Sequence, residues 1–294
     1  MEERHLFTNT DIRKLLLPIM VEQLLASLMG MVDTIMVSNV GSAAISAVSL
    51  VDSINILVIQ LFSALAAGGA ILCSQYIGGK NIRQAETSAN QVLLTVTVLS
   101  SLMTGVCLLF RRPLLSLIFG AVEPAVMTNS EVYFFYTALS FPFIAIYDAG
   151  ASIFRAQNNT RCPMIISVIS NFMNIFGNAI LIWGVGIGVA GAAISTLLSR
   201  IFCAIMVMLW LHRPCYALRV YNYRSIRPQW NYIRKILSIG VPSGIENGMF
   251  QFGKLAIQST VSTLGTVAIA AQAMTNILEN LNGVAAIGVG IGLM

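Results

Sequence analysis

The residues able to do chemistry in this chain are few, and they stand where charge is expensive. The first long apolar stretch, Lys14 to Gly41, carries Pro18, Glu22 and Asp33. A carboxylate in hydrocarbon costs from about 2.5 kcal/mol upward, so it is normally turned toward a cavity or a partner. Glu22 and Asp33 lie eleven residues apart, which at about 100° per residue puts them nearly in line on one helix face. Ala26, Met29 and Met36 share that stripe. Farther on, Asn171, Asn174 and Asn178 follow an i, i+3, i+7 spacing, extended by Ser167. Amides at membrane depth need hydrogen-bond partners. Either this face joins helices, or it forms a polar cluster that binds a cation or proton. Asp33 and Asn178 fall at similar heights in two spans running the same way, which favours the second role. Thr196 and Ser199 follow with Arg200 beside them; back-bonding to the helix backbone is the expected use of the hydroxyls. A further stripe runs Asn247, Gln251, Lys254, Gln258, and another Gln272, Asn276, Glu279. Lys254 and Glu279 reach comparable depth and are expected to pair. With Glu22 and Glu246 these residues form a possible secondary polar cluster.

The elements holding these groups are apolar helices. The chain has 294 residues, 56% hydrophobic and 10% charged, with mean hydropathy +0.79. Soluble domains carry about 25% charged residues, so an all-α polytopic membrane protein is the expected fold class. Eight spans are read at about 15–38, 48–77, 89–110, 130–154, 163–184, 188–211, 236–262 and 267–294. With the N-terminus cytoplasmic, thirteen Lys and Arg residues fall on its side against Arg111 and Arg112 opposite. That asymmetry fixes a multi-pass orientation in the cell membrane. The net charge of +5 lies in short loops, so no nucleic-acid partner is expected; the partners are the bilayer and small molecules. The cysteines lack metal-type spacing and read as packing residues. Methionines on the Asp33 face suggest a greasy chamber that repacks around varied shapes.

A shift of 224 residues aligns Pro18 with Pro242, Glu22 with Glu246, Gly41 with Gly265, Ala44 with Ala268, Ile45 with Ile269, Ala47 with Ala271 and Gly68 with Gly292. Both copies begin on the same side, the parallel two-halves arrangement of some secondary transporters. The expected organisation is a six-helix lobe over 1–211, a basic linker over 212–235, and the first two helices of a second lobe over 236–294. Scaled from the repeat, an intact second half would extend roughly 150 residues further, so the chain reads as truncated.

PIMVEQLLASLMGMVDTIMVSNVG, followed by GGAILCSQYIGGKN, resembles the multidrug and toxic compound extrusion (MATE) family. RAQNNTRCPMIISVISNFMNIFGNAILIWGVGIGVAGAAISTLLSR is similar to the family's middle helices, and GVPSGIENGMFQFGKL to the start of its second lobe. The resemblance implies twelve helices in two lobes that open alternately to each face, and a monomer when intact. It implies exchange of inward Na⁺ or H⁺ for outward amphiphilic, often cationic, drugs, with no cofactor. It places Asp33 at the first-helix carboxylate of a cation site. Asn174 matches the asparagine of the family's fifth-helix Asn-x-x-x-Asp pattern, and Thr196 a sixth-helix threonine. Asn178 stands where some members have a second acid, so one charge is missing. A Na⁺ site at Asp33, Asn174 and Asn178 follows from the same resemblance. Glu246 lies near, but not at, the seventh-helix acid of another branch.

Two other functions are weighed. A lipid-linked oligosaccharide flippase would line its chamber with several arginines, whereas only Arg200 and Lys254 lie inside spans. An intramembrane enzyme would need a catalytic motif. There is no His-Glu-x-x-His, no paired Asp cluster for diphosphate-bound metal and no Gly-x-Ser-x-Gly.

Overall fold

The computed structural model describes residues 9–120, 122–213, 218 and 227–293. Helices follow one another with short turns: α1 (Asn9–Ser38), α2 (Ser42–Gly78), α3 (Ile82–Leu109), α4 (Arg111–Phe119), α5 (Pro124–Leu139), α6 (Phe141–Ala156), α7 (Arg161–Asn178), α8 (Val189–Leu211), α9 (Trp230–Ser262) and α10 (Thr266–Leu293). The fold is that of an all-α polytopic membrane protein, because a chain in hydrocarbon must satisfy its backbone within each segment. Four helices among the described residues are long and apolar enough to cross a membrane, and a fifth span arises if the bent pair α5–α6 is one crossing. At 30, 33 and 28 residues, α1, α9 and α10 also have the length. Half of the basic linker, with Arg219, Arg224 and Cys215, lies outside the described residues.

Helices α1, α3, α5 and α9 begin six or seven residues earlier than expected, and three further departures bear on the site. First, α2 begins at Ser42, six residues earlier than expected. Gly41, at φ 132°, turns the chain directly into it. Second, the 130–154 span is two helices meeting at 44°. Pro142 cannot donate to the carbonyl of Ala138, so the helix breaks at Ser140. Thr104 Oγ1, 3.1 Å from that carbonyl, takes the missing donor's place. Third, α7 ends in a π turn over Ala179–Gly184, and the short helix α4 interrupts the loop before α5. Such π turns recur at functional sites, and this one starts directly after Asn178.

The aligned segments share a local build. Pro18 lies inside α1 and Pro242 inside α9, and Gly41 and Gly265 both adopt positive φ, 132° and 98°. Packing is crosswise: α2 lies along α9, and α10 along α1. Contact between α2 and α9 is closest at glycines. A Cβ on Gly68 would come within 2.8 Å of the Gly240 backbone nitrogen. Toward the other end of α9, Gln258 Nε2 donates to Ser49 Oγ at 3.4 Å and Ser46 Oγ donates to the Thr266 carbonyl at 2.9 Å. Cys73, Cys107, Cys162 and Cys203 are buried in packing positions.

Candidate cation and substrate chamber

Helix α7 packs between α1 and α8, which gathers residues far apart in the chain. The Asn178 amide donates to Asp33 Oδ1 and reaches Asn174 Oδ1 at 3.0 Å. Asn174 Nδ2 in turn lies 3.2 Å from Thr196 Oγ1, and Thr196 back-bonds to the Ala192 carbonyl at 2.9 Å. The Asn174 amide fits more partners when turned over. Its nitrogen then meets Asp33 Oδ1 at 3.0 Å, and its oxygen accepts from Thr196 Oγ1 and N, both at 3.2 Å. Asn178 is fully buried, and its Oδ1 has no partner among the described residues. Asp33, Asn174, Asn178 and Thr196 therefore form one connected cluster, rich in oxygen acceptors of the kind that hard cations select.

This cluster stands at the wall of a cavity of about 550 Å³. Asp33, Asn174 and Thr196 line it, with Ser167, Ser170 and Asn171 from α7, while Ile45, Val48, Ile56 and Ile144 supply apolar surface. Among the described lining residues the apolar surface comes from isoleucine, valine and alanine side chains rather than from methionine. Met36 packs into the core instead, and the side chains of Ala26 and Met29 lie outside the described residues. The walls alternate short polar groups and branched aliphatics.

The secondary cluster is not one cluster. Glu22 is 6% exposed. Arg155 Nη2 approaches its oxygens at 3.1 and 3.3 Å, and Tyr147 OH donates to it at 2.9 Å. Its partner in the repeat, Glu246, is exposed and lines no part of the chamber. Lys254 Nζ and Glu279 Oε1 meet at 2.8 Å, both on exposed surface away from the cavity. Asn276 lines the chamber, whereas Gln272 is half-buried with its Oε1 unpartnered among the described residues. The groups separate because Glu22 is tied to α6 through Arg155 and Tyr147, whereas Lys254 and Glu279 pair with each other across α9 and α10.

Several functional residues escaped the sequence reading. Asp52 and Asn55 on α2, Tyr133 on α5 and Tyr147 on α6 all line the chamber. Asp148 and Arg155 on α6 do not line it but lie within electrostatic reach of Glu22, which does. The early start of α2 explains Asp52: it lies ten residues from the helix end, about 15 Å along the axis at 1.5 Å per residue. A span beginning at 48 would put Asp52 only about one turn from its end. The usable signal was Ser49, Asp52, Ser53 and Asn55 clustered inside an apolar run. Arg200 also lines the cavity. Its Nη1 donates to Ser140 Oγ at 2.7 Å, so the proline-induced break in α5–α6 supplies its anchor. Neither Arg200, Asp33 nor Asp52 belongs to an ion pair among the described residues.

The MatE family model matches residues 18–180, more than half of the chain. The chain belongs to the MATE family. Among curated proteins it is 29% identical to "Probable multidrug resistance protein NorM" of Thermotoga maritima over 96% of this chain and 61% of that protein. It is 26% identical to "Uncharacterized transporter YisQ" of Bacillus subtilis over 88% of this chain and 57% of that one. The chain thus spans about three-fifths of the length of these relatives. A solved structure described as the outward-facing conformation of a multidrug resistance MATE family transporter superposes with TM-score 0.86 at 22% identity, covering 96% of this chain and 62% of that one. That likeness establishes the fold. Within this MATE chain the Asn178 amide is the group that holds Asp33.

Proposed function

We propose that this MATE chain belongs to a cation-coupled multidrug antiporter of the cell membrane, with its N-terminus cytoplasmic and residues 1–211 forming the lobe that binds the coupling ion. The observation that carries the reading is Asp33: a carboxylate at the wall of a chamber, held by the Asn178 amide and outside any ion pair among the described residues. A lone acid so placed is stabilised when it takes up Na⁺ or a proton. The chamber, at about 550 Å³, is in the range that encloses a drug-sized molecule, and Arg200, the one lining cation among the described residues, does not give the arginine-rich wall expected of a flippase. Asp33 would then bind either the coupling cation or, through charge, a cationic substrate. Transport follows if each ligand favours a different conformational state.

The test is ethidium efflux from proteoliposomes driven separately by Na⁺ and pH gradients, for wild type and Asp33→Asn. Gradient-driven efflux by wild type, lost in Asp33→Asn at equal incorporation, is expected. Wild-type efflux retained by Asp33→Asn would sink the assignment of Asp33.

A further inference from the structure

Asp33 is not alone in its construction. Asn178 donates Nδ2 to Asp33 Oδ1 and keeps its own Oδ1 buried without a partner among the described residues. Asp52 has the same surroundings. Asn55, one helical turn on, donates Nδ2 to Asp52 Oδ1 at 3.2 Å, and Tyr133 OH donates to the same oxygen at 3.3 Å. Asn55 is only 2% exposed, lines the chamber, and its Oδ1 also lacks a partner among the described residues. A buried carbonyl oxygen without a hydrogen bond is costly. Turning the amide over would set it against the Asp52 carboxylate, which is worse unless a cation lies between them.

Charge points the same way. Arg200 is within electrostatic reach of Asp33, Asp52 and Asp148, and its Nη1 is turned to Ser140. Arg155 acts on Asp148 as well and pairs with Glu22, so two guanidiniums face four carboxylates, which leaves an excess of negative charge on this side of the chamber. Asn55 Oδ1 is too enclosed for a bulky organic cation to touch, yet a bare small ion beside Asp52 could reach it. The two acids also sit at different levels: Asp33 is five residues from the end of α1, and Asp52 ten residues from the adjoining end of α2.

We propose that Asp52, Asn55 and Tyr133 form a second site for a small monovalent cation, separate from that of Asp33. The carboxylate, the Asn55 carbonyl oxygen and the tyrosine oxygen supply oxygen ligands of the type Na⁺ takes. This goes beyond the coupling role of Asp33 and stands on binding alone.

The experiment is thermal unfolding of the purified 294-residue protein in detergent, with NaCl replacing choline chloride at constant ionic strength, at pH 6 and pH 8. Binding to the folded state raises the unfolding temperature saturably. The Asp33→Asn protein is expected to keep a saturable Na⁺ response. Asp33→Asn/Asp52→Asn is expected to lose it. Asp33→Asn/Asn55→Leu, which keeps the Asp52 charge and serves if the double aspartate variant does not fold, is expected to need at least tenfold more Na⁺. The proposal is overturned if Asp33→Asn alone abolishes the response, or if either double variant responds like Asp33→Asn. Since the readout is binding, it is separable from the efflux test: loss of efflux with a retained Na⁺ response leaves the second site standing.

Discussion

Glu22 offers the sharpest test of how this fold is held. Its carboxylate takes Arg155 Nη2 at 3.1 and 3.3 Å and Tyr147 OH at 2.9 Å. The two charged side chains are 8% and 24% exposed, and Arg155 Nε has no partner among the described residues. Removing Glu22 therefore leaves a buried guanidinium already short of acceptors. Breaking a buried pair by deleting one partner costs about 3–5 kcal/mol, whereas replacing both partners by apolar groups of similar volume is often neutral. Glu22→Leu and Arg155→Leu are each expected to lower stability by at least about 3 kcal/mol, which is roughly a hundredfold in the folding equilibrium. At about 2–4 °C per kcal/mol for a domain of comparable size, each lowers the unfolding temperature by roughly 6 °C or more. Glu22→Leu/Arg155→Leu is expected to return to within about 2 kcal/mol of wild type. Thermal unfolding of the four purified proteins in one detergent closes the cycle. A double variant that falls by the sum of the two singles would refute the pairing as the source of the cost. Glu22 ties α1 to α6, and so sets where Asp33 stands; its loss should reduce the amount of folded protein rather than change which cation is used.

Two further outcomes follow from the packing. Gly68→Val puts side-chain carbon where a Cβ alone is 2.8 Å from the Gly240 nitrogen, so α2 and α9 must part; a loss of about 1–3 kcal/mol is expected, and unchanged thermal unfolding would show that the contact is not tight. Lys254→Glu and Glu279→Lys should each lower membrane yield, and the double reversal should restore it, since the pair is re-formed with exchanged signs; a double variant no better than either single would remove the pairing.

Much of the site was legible in the residues alone because helical period is a local property. Asn171, Asn174 and Asn178 share a face wherever α7 packs, and Asp33 in an apolar run demands a cavity or a partner. The shared proline and glycine of the two copies announced their common build, and both glycines do take positive φ. What went unread depended on features without a local signature. The start of α2 at Ser42 sets Asp52 ten residues into the helix, where it lines the chamber. The break at Pro142 split one span and created the Ser140 anchor for Arg200.

Sequence by itself determined the all-helical membrane class, the turn glycines, the acid on α1 and the amide face of α7, since hydropathy and a 3.6-residue period act over neighbouring residues. Tertiary structure alone decided which of these groups meet. Glu22 and Glu246 occupy equivalent places in the repeat, yet the first is buried against Arg155, 133 residues away, and the second is exposed. Asp52 is bound to Tyr133, 81 residues away. Such pairs depend on how helices cross and how far each is rotated about its axis. Those are settled by packing across the whole bundle, and one helix's sequence carries no record of its neighbour's face.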